Sequence, residues 1–273
     1  MKPLFLTILA SVSVFCGQII AAEPLRASVK QESKAWPEPP IVEPKYDGSP
    51  VKAPEGAIII FNGSDASSWA MAPNKKDAAP THSICWKIEN GYMEVPPKTR
   101  PIKPSTPPAD SEHLNIETVK PFITSGHLHI EWATPSEVKG SGQGRGNSGV
   151  FIEGLPELQV LDSYNNKTYF DGQAGAFYKQ RPPSVNACRG PGLWQCYDIH
   201  LTRATVEKGK VIKPATVTVF HNKILVQDHV EFSNPTQAGT LKLQDHNNPV
   251  RFRNIWFMPA PKLTPASISN TKP

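Results

Sequence analysis

The sequence predicts an all-β fold in which two antiparallel sheets pack face to face. Three observations lead to this class: short runs of alternating apolar and polar residues recur along the chain, turn-forming dipeptides separate them, and no stretch carries a helical apolar stripe. The chain has 273 residues, of which 38% are hydrophobic and 19% charged. This composition is typical of one globular domain with tails, which can bury a core without a metal or a disulfide.

The predicted strands are short and rich in β-branched and aromatic residues. Turn signals such as Asn62-Gly63, Asn90-Gly91 and Asn222-Lys223 lie between them. In chain order the runs are AIIIF, GYMEV, HLHIEW, GVFIE, ELQVL, YDIHL, ATVTVF, KILVQ, TLKLQ and VRFRNIWF.

The run HLHIEW gives the clearest prediction of which side faces the core. Successive strand side chains point to opposite faces, so His127, His129 and Glu131 share one face while the residues between them share the other. The same division recurs in later runs. We therefore expect a core that includes Leu128, Ile130, Trp132, Leu158, Val160 and Phe252.

The strand faces opposite this core carry amides, imidazoles and carboxylates rather than lysine and glutamate alone. Glu157 and Gln159 alternate with apolar neighbours, Gln244 and His246 lie on one side of their run, and near the C-terminus Arg251 and Arg253 oppose Phe252, Asn254 and Trp256. Amides, imidazoles and carboxylates discriminate hydroxyl groups, whereas a merely solvated face has no need of them. These faces therefore indicate a surface that recognises sugars.

The N-terminus has the pattern of a secretory signal peptide over residues 1–22. Lys2 precedes an apolar run from Leu4 to Cys16, and small residues end at Ala21-Ala22. We expect cleavage after Ala22 and export to the periplasm or the medium. Lipidation of Cys16 is disfavoured because the bulky Phe15 precedes it, and no second apolar run is long enough to span a membrane.

The remaining chain divides into a proline-rich extended segment (23–55), the sandwich domain (56–259) and an irregular tail (260–273). Without the signal peptide three cysteines remain: Cys85, Cys188 and Cys196. The odd number leaves at least one thiol without an intrachain partner. Cys188 and Cys196 flank a turn and are the better candidates for a disulfide, with two buried thiols as the alternative.

The charge distribution argues against nucleic acid as a partner. The 29 basic and 24 acidic residues give a net charge of +5. The basic residues are scattered rather than gathered into a stripe, which is a poor electrostatic footprint for DNA or RNA.

The sequence resembles the 3-keto-disaccharide hydrolase family, also described as a 3-keto-glucoside lyase and hydratase domain. The similar strings run in order from about Ala57 to Phe257, essentially the whole domain. They are AIIIFNGSDASSW, HLHIEWATP, GNSGVFIEG, ELQVLDSY, DGQAGAFYKQRPPSVNA, PGLWQCYDIHLTR, ATVTVFHNKILVQDHVEF and LQDHNNPVRFRNIWF.

The resemblance implies a concanavalin A-like jelly roll of two curved antiparallel sheets. It also implies an exported enzyme that acts on glycosides already oxidised to a ketone at carbon 3. The chain departs from the family where Cys188 and Cys196 replace small or hydroxyl residues and Lys223 replaces a turn glycine. These departures affect loop geometry more than the polar strand faces.

A ketone at carbon 3 acidifies the proton on carbon 2, so cleavage needs a base, a donor at the enolate oxygen and an acid at the leaving oxygen. We expect the polar residues to line one cleft, with Glu131 as first choice for the base or a metal ligand and Glu157 or Asp162 as the acid. A divalent metal is possible, with His129, Glu131 and His246 as candidate ligands. The candidate catalytic residues are Glu131, Glu157, Asp162 and His246, and the candidate substrate-binding residues are His129, Gln159, Tyr178, Asn186, Trp194, Gln244 and Arg253.

Two other functions fit the same sequence. Glu157 and Asp162 are spaced like the carboxylates of retaining glycosidases on this fold, although Gln159 stands where those enzymes have an aspartate. A lectin-like module could instead stack sugars on Trp194 and Tyr178. Turnover of a 3-keto glycoside, as opposed to retention on a glycan column, separates enzyme from lectin.

Overall fold

The structure is a computed structural model that describes residues 36–72, 84–97 and 114–261. The predicted signal peptide, the first part of the proline-rich segment and nearly all of the predicted tail lie outside these ranges. The described residues contain strands and two short 3-10 turns, Gly142–Gly144 and Phe170–Gly172, but no α-helix. Nothing helical in those ranges is long and apolar enough to cross a bilayer.

Fifteen strands follow one another along the described chain. They are β1 (Ile58–Phe61), β2 (Trp69–Met71), β3 (Lys87–Glu89), β4 (Tyr92–Glu94), β5 (Ile116–Thr118), β6 (Gly126–Ala133), β7 (Ser148–Ile152), β8 (Leu158–Val160), β9 (Gln195–Thr202), β10 (Thr205–Glu207), β11 (Lys210–Lys213), β12 (Ala215–His221), β13 (Ile224–Phe232), β14 (Leu241–Leu243) and β15 (Arg251–Pro259).

Two antiparallel sheets make up the sandwich, as the sequence predicts. The larger has eight strands in the order β13-β12-β9-β6-β15-β4-β3, with β1 pairing with another part of β15. The smaller has five strands in the order β2-β5-β14-β7-β8. A separate hairpin, β10-β11, completes the strands.

One apolar core lies between the two sheets and confirms the alternation in the sequence. The larger sheet contributes Ile130 and Trp132, and the smaller contributes Val160, each with 0% exposure. Complete burial of such a side chain contributes about 1.5–3 kcal/mol relative to exposure. The predicted core residues all belong to this cluster: Leu128, Ile130, Trp132, Leu158, Val160 and Phe252.

Strand β15 departs from the predicted alternation. We expected Trp256 to share a face with Phe252, but its indole stacks on the His129 ring on the outer side of the larger sheet. The pairing with β6 shifts register between Arg253 and Trp256, and Asn254 has a φ of 48°. This irregularity places Trp256 on the face opposite Phe252, because a bulge reverses the direction of the residues that follow it.

The hairpin between β12 and β13 turns on Asn222 and Lys223, whose φ values are 51° and 67°. A lysine is unusual at such a position, where glycine or asparagine is favoured. Its ammonium lies 3.0 Å from Asp198 Oδ2. This ion pair ties the turn to β9 and gives Lys223 a structural reason to replace glycine.

The described part of the proline-rich segment, residues 36–55, forms an extended strap along the domain. Two backbone hydrogen bonds join it to one residue, from Val42 N to Asn186 O (3.0 Å) and from Asn186 N to Pro40 O (2.8 Å). Further along, Val51 N donates to Glu131 Oε1 at 2.7 Å. The strap therefore covers part of the outer face of the larger sheet.

Cys188 and Cys196 carry separate buried thiols and not a disulfide. Burial raises the pKa of each thiol to about 12. Both thiols therefore stay protonated at neutral pH and behave as small apolar side chains.

Candidate functional site

The predicted site residues do not line a single cleft. His129 and Glu131 project from β6, and Gln159 projects from β8, each on the side of its strand away from the core. Because both sheets turn their inner faces to the same core, their outer faces lie on opposite sides of the molecule. The expectation that Glu131 and Glu157 share one cleft is therefore wrong.

On the larger sheet, Glu131 is the centre of a buried polar cluster. Its Oε1 accepts hydrogen bonds from Val51 N at 2.7 Å and from Asn254 Nδ2 at 2.6 Å, and its Oε2 accepts from Arg253 Nε at 2.7 Å. The side chain has 0% exposure. We name Glu131, His129, Asp198, Arg253 and Asn254 the Glu131 cluster.

Hydrogen bonds keep the acids of this cluster ionised. Burial is the largest influence on Glu131 and raises its pKa, but the hydrogen bonds from His129, Val51, Asn254 and Arg253 outweigh it and the net pKa is lowered. Burial likewise lowers the pKa of His129, but its bonds to Asp198 and Glu131 make the net shift upward. Glu131 is thus a satisfied anion beneath the strap, with no surface left for a sugar.

Of the predicted metal ligands, His129 and Glu131 lie together, with Nε2 and Oε1 3.4 Å apart, but His246 does not join them. His246 follows β14 in the smaller sheet, whereas His129 and Glu131 lie on the outer face of the larger one. His129 has instead His127 and Asp198 nearby, with ligand atoms within 4.8 Å of one another. Both imidazoles already hydrogen-bond Asp198 Oδ1, at 2.7 Å and 3.0 Å, and the Lys223 ammonium neutralises its other oxygen. This group is better suited to an ion-pair network than to a cation.

Trp194 and Arg253, expected to bind substrate, contact each other near the strap. The Arg253 guanidinium lies 4.0 Å from the centre of the Trp194 ring, and its Nη2 donates to Gly48 O at 2.7 Å. The pair therefore fixes residues of the strap. Neither side chain reaches the outer face of the smaller sheet.

That outer face carries four of the predicted residues together. Gln244 pairs with Gly149, which in turn pairs with Gln159, so the three form a row across β14, β7 and β8. Glu157 immediately precedes β8. Tyr178 lies next to it on the side of β8 away from β7, and Tyr178 N donates to Glu157 O at 2.9 Å. We name this surface, with Glu157, Gln159, Tyr178 and Gln244, the Glu157 face.

Gly149 makes room for the Glu157 carboxyl group. A Cβ atom at Gly149 would lie 2.2 Å from Glu157 Oε1 and 3.0 Å from the Phe151 ring. The carboxyl group therefore folds back over the glycine, where one end of the Gln159 amide lies 3.1 Å from Oε1. The other end of that amide lies 2.8 Å from Gln143 Oε1.

Glu157 has a perturbed pKa for a simple reason. Burial raises the pKa to about 7, and the charge of Lys242 opposes this shift without cancelling it. Unlike Glu131, this carboxyl group has neither an arginine nor a backbone N–H bonded to it among the described residues. It can therefore both take and give a proton near neutral pH, which is the property required of an acid–base catalyst.

A pair of tyrosines borders the carboxyl group. The hydroxyls of Tyr169 and Tyr178 lie 2.6 Å apart, and the Lys179 ammonium lies 3.1 Å from the centre of the Tyr169 ring. Burial is the main cause that raises the pKa of Tyr169, so it stays protonated. When one hydroxyl donates to the other, the accepting one keeps its own O–H for a ligand.

Sequence reasoning missed Gln143, Tyr169 and Lys242. Gln143 Nε2 donates to Thr168 Oγ1 at 2.9 Å and to Gly172 O at 2.8 Å, which links the loop before β7 to the loop after β8. Gln143 and Tyr169 lie in loops, where strand alternation gives no signal. Lys242 lies on β14 in the same alternating pattern as Gln244 and could have been found from it.

Asp162 and His246 line a separate cleft of 420 Å³ at one end of the smaller sheet. Antiparallel pairing brings the start of β7 and the ends of β8 and β14 together there. Asp162 Oδ2 accepts a hydrogen bond from Arg145 Nε at 2.7 Å. Asp162 is thus an ion-paired residue at the opposite end of β8 from Glu157.

The family model of the 3-keto-alpha-glucoside-1,2-lyase-like domain matches residues 56–258, which is most of the chain and runs from before β1 to the next-to-last residue of β15. The chain belongs to this family. It is accordingly a carbohydrate-active enzyme of glycosyl hydrolase type.

Solved structures agree with this membership of the 3-keto-alpha-glucoside-1,2-lyase-like family. A candidate glycosyl hydrolase from Parabacteroides distasonis is 33% identical, with a TM-score of 0.64, and the match covers 86% of this chain and 98% of that one. A second candidate glycosyl hydrolase from the same organism is 18% identical, with a TM-score of 0.52, covering 76% and 95%, and shares the fold. No curated protein matches the sequence.

Asn186, the remaining predicted residue, joins the strap to the loop after β8. Its Nδ2 donates to Ser163 O at 3.0 Å, its Oδ1 accepts from Cys188 N at 3.1 Å, and its backbone bonds the strap. It also lines a pocket between the strap and that loop. In this family member Asn186 therefore shapes a pocket next to the Glu157 face.

Proposed function

We propose that the enzyme cleaves 3-keto glycosides on the Glu157 face, with Glu157 as the acid–base group. The observation that carries this proposal is a half-buried carboxyl group with a pKa of about 7 among amides and phenols. Membership of the 3-keto-alpha-glucoside-1,2-lyase-like family supports the choice of substrate.

The first step is an elimination. The Glu157 carboxylate removes the proton on carbon 2, which the ketone at carbon 3 acidifies, and an enolate forms. The enolate then expels the oxygen on carbon 1, and that oxygen takes the proton back from Glu157. The products are the free alcohol and an enone, and Glu157 is again a carboxylate. One group performs both transfers because its pKa lies near neutral pH.

The second step is hydration. Water adds to the enone with its hydroxyl on carbon 1 and its hydrogen on carbon 2, which gives the free 3-keto sugar. The sum of both steps is hydrolysis of the glycosidic bond. Glu157 accepts a proton from the attacking water and returns it to carbon 2, the reverse of the first transfer.

The enolate oxygen needs donors that are already in position. The phenol pair of Tyr169 and Tyr178 supplies an O–H next to Glu157. Gln244, half-buried in the row beside Gly149, brings a further amide to this face. Donors fixed before the reaction stabilise the developing charge without reorganisation.

Direct glycosidase action by Glu157 and Asp162 has less support. A retaining pair requires carboxyl groups about 5–5.5 Å apart. The three residues of β8 between them span about 10 Å, and Asp162 is held by Arg145 at the other end of the strand.

The proposal is tested by giving the purified enzyme methyl 3-keto-α-glucoside and methyl α-glucoside in parallel. Enone absorbance and release of the free sugar are followed for both. We expect turnover of the ketone alone, with a transient enone. Equal cleavage of both sugars would favour the glycosidase mechanism, and binding without turnover would favour the lectin.

We also propose that the enzyme is exported, from the signal-peptide pattern of residues 1–22. Mass spectrometry of the mature protein is expected to find Glu23 at the N-terminus. An intact Met1 would contradict export by this route, and a lipid on Cys16 would establish the lipoprotein alternative.

A further inference from the structure

A second pocket, of 610 Å³, opens between the strap and the loop after β8. Pro39 and Ile41 line it from the strap, and Asn165, Phe170 and Gln173 line it from the loop. The two sides are held together through Asn186, whose backbone bonds Pro40 and Val42 and whose side chain bonds Ser163 O. The pocket is thus formed by two separate parts of the chain and not by one loose loop.

Gln173 gives this pocket its chemical character. The residue is 6% exposed, and its Oε1 has no hydrogen-bond partner among the described residues. A buried amide oxygen without a partner costs about 1–3 kcal/mol. The Gln173 side chain lines the pocket, so a rotation of its amide would offer this oxygen to a hydroxyl donor of a ligand.

The other lining groups complete a surface that suits a sugar. Ile41 is 75% exposed although it is a large apolar residue, and Phe170 adds a half-buried aromatic ring. Asn165 contributes a second amide at the opening. Apolar surface for ring C–H groups together with amides for hydroxyls is the usual composition of a saccharide pocket.

The pocket lies next to the Glu157 face, and the loop 163–173 separates the two. Thr168 lines the pocket, and its Oγ1 accepts a hydrogen bond from Gln143 Nε2 at 2.9 Å. Gln143 also bonds Gly172 O, the residue before Gln173, and contacts the amide of Gln159. A saccharide in the pocket and a sugar over Glu157 would therefore share the loop 163–173.

We propose that this pocket is a second saccharide subsite, which binds a neutral sugar unit other than the one cleaved. The enzyme then recognises two sugar units, and the strap is part of the recognition surface. The identity of the cleaved unit rests on the proposed function, but the subsite itself is tested by binding alone.

The test uses the full-length mature protein and two pocket variants, Gln173→Met and Asn165→Gly. Methionine keeps the length of Gln173 without its hydrogen bonds, and glycine suits the φ of 50° at Asn165. Thr202→Ala, in a groove elsewhere on the surface, is the matched control. Binding of trehalose and maltose is measured by isothermal titration calorimetry for every protein, and NMR follows the Gln173 side-chain amide in the wild type. KM is measured for a 3-keto disaccharide and for methyl 3-keto-α-glucoside.

We expect at least one disaccharide to shift the Gln173 amide signals, and both pocket variants to weaken its binding about tenfold, a loss of about 1.4 kcal/mol. KM should rise for the 3-keto disaccharide and stay constant for the methyl glycoside, with the control unchanged on all counts. Absent binding, or pocket variants that match the wild type, would overturn the subsite even where turnover is normal. Binding that depends on Gln173 in a protein without turnover would retain the subsite and reject the proposed function.

Discussion

Two glutamates on opposite faces of the sandwich, Glu131 buried and Glu157 half-buried, show how environment assigns a role to one side chain. Glu131 accepts hydrogen bonds from a backbone amide, an asparagine and an arginine, and its pKa is lowered. Glu157 lies over a glycine beside a neutral amide, and its pKa is raised to about 7. Burial raises the pKa of both glutamates. The hydrogen-bond donors around Glu131 therefore account for the opposite directions of the two net pKa shifts.

The difference separates a structural carboxylate from a reactive one. A buried anion with several hydrogen-bond donors stabilises the fold as long as the donors stay in place. It has no free acceptor position for a substrate. A carboxyl group that is shielded from water and has few donors costs stability when ionised and can move a proton at neutral pH.

The largest effect on activity is expected from Glu157→Gln. Removing a general acid or base lowers the rate by about 10²–10⁴-fold. The turnover number for a 3-keto glycoside measures the loss. Glu207→Gln, on the exposed hairpin, is the control and should keep the wild-type rate. A Glu157→Gln variant with full activity would show that Glu157 is a bystander.

The largest effect on stability is expected from Glu131→Ala. It leaves Arg253 and His129 without their buried partner, and breaking a buried ion pair costs about 3–5 kcal/mol. Urea unfolding measures this loss, with the exposed Glu231→Ala as control. The turnover number of the folded fraction should not change. A stable variant with reduced turnover would instead move the active site to the Glu131 cluster.

A smaller stability effect with a defined pH dependence is expected for Glu157. Its folded pKa is raised from 4.5 to about 7, so the wild type has its full stability below pH 4.5 and loses part of it as the pH rises through 7. At pH 8, Glu157→Gln should therefore be more stable than the wild type by about 1–3 kcal/mol. Near pH 4 the two should be equal. A Glu157→Gln variant that is less stable at pH 8 would contradict the raised pKa.

The smallest effect is expected from Gly149→Ala, which changes no chemical group of the site. The new methyl group would collide with Glu157 Oε1 and displace the carboxyl group from the Gln159 amide. We expect about tenfold slower turnover, because small errors of position already weaken catalysis. Gly190→Ala, where the nearest side-chain atom is 3.9 Å from the new Cβ, is the control. Equal rates for both variants would mean that the position of Glu157 is not critical.

Much of the fold follows from alternation in the sequence, because the strand period fixes which residues face the core. The core assignments of Trp132, Val160 and Phe252 were correct for this reason. Alternation puts Trp256 on the wrong face, because a bulge at Asn254 shifts the register and the alternating pattern carries no sign of it. Local pattern thus predicts strand faces until an irregular residue intervenes.

The site was less predictable than the fold. Alternation correctly put Glu131 and Glu157 on faces that point away from the core, but it does not tell which sheet each strand joins. That depends on pairings between residues far apart, such as Leu243 with Val150. The cover over Glu131 comes from Val51, 80 residues earlier in the chain, and the loop residue Gln143 has no periodic neighbours. Only tertiary structure reveals these contacts.

The most direct test of the contrast is a ¹³C NMR titration of the glutamate side chains, with Glu157→Gln and Glu131→Gln to assign the two carboxyl signals. We predict that the Glu157 signal titrates with a midpoint near 7 and that the Glu131 signal titrates below 4.5, the ordinary value for glutamate. A Glu157 midpoint near 4.5, or a Glu131 midpoint at or above that of Glu157, would contradict the account.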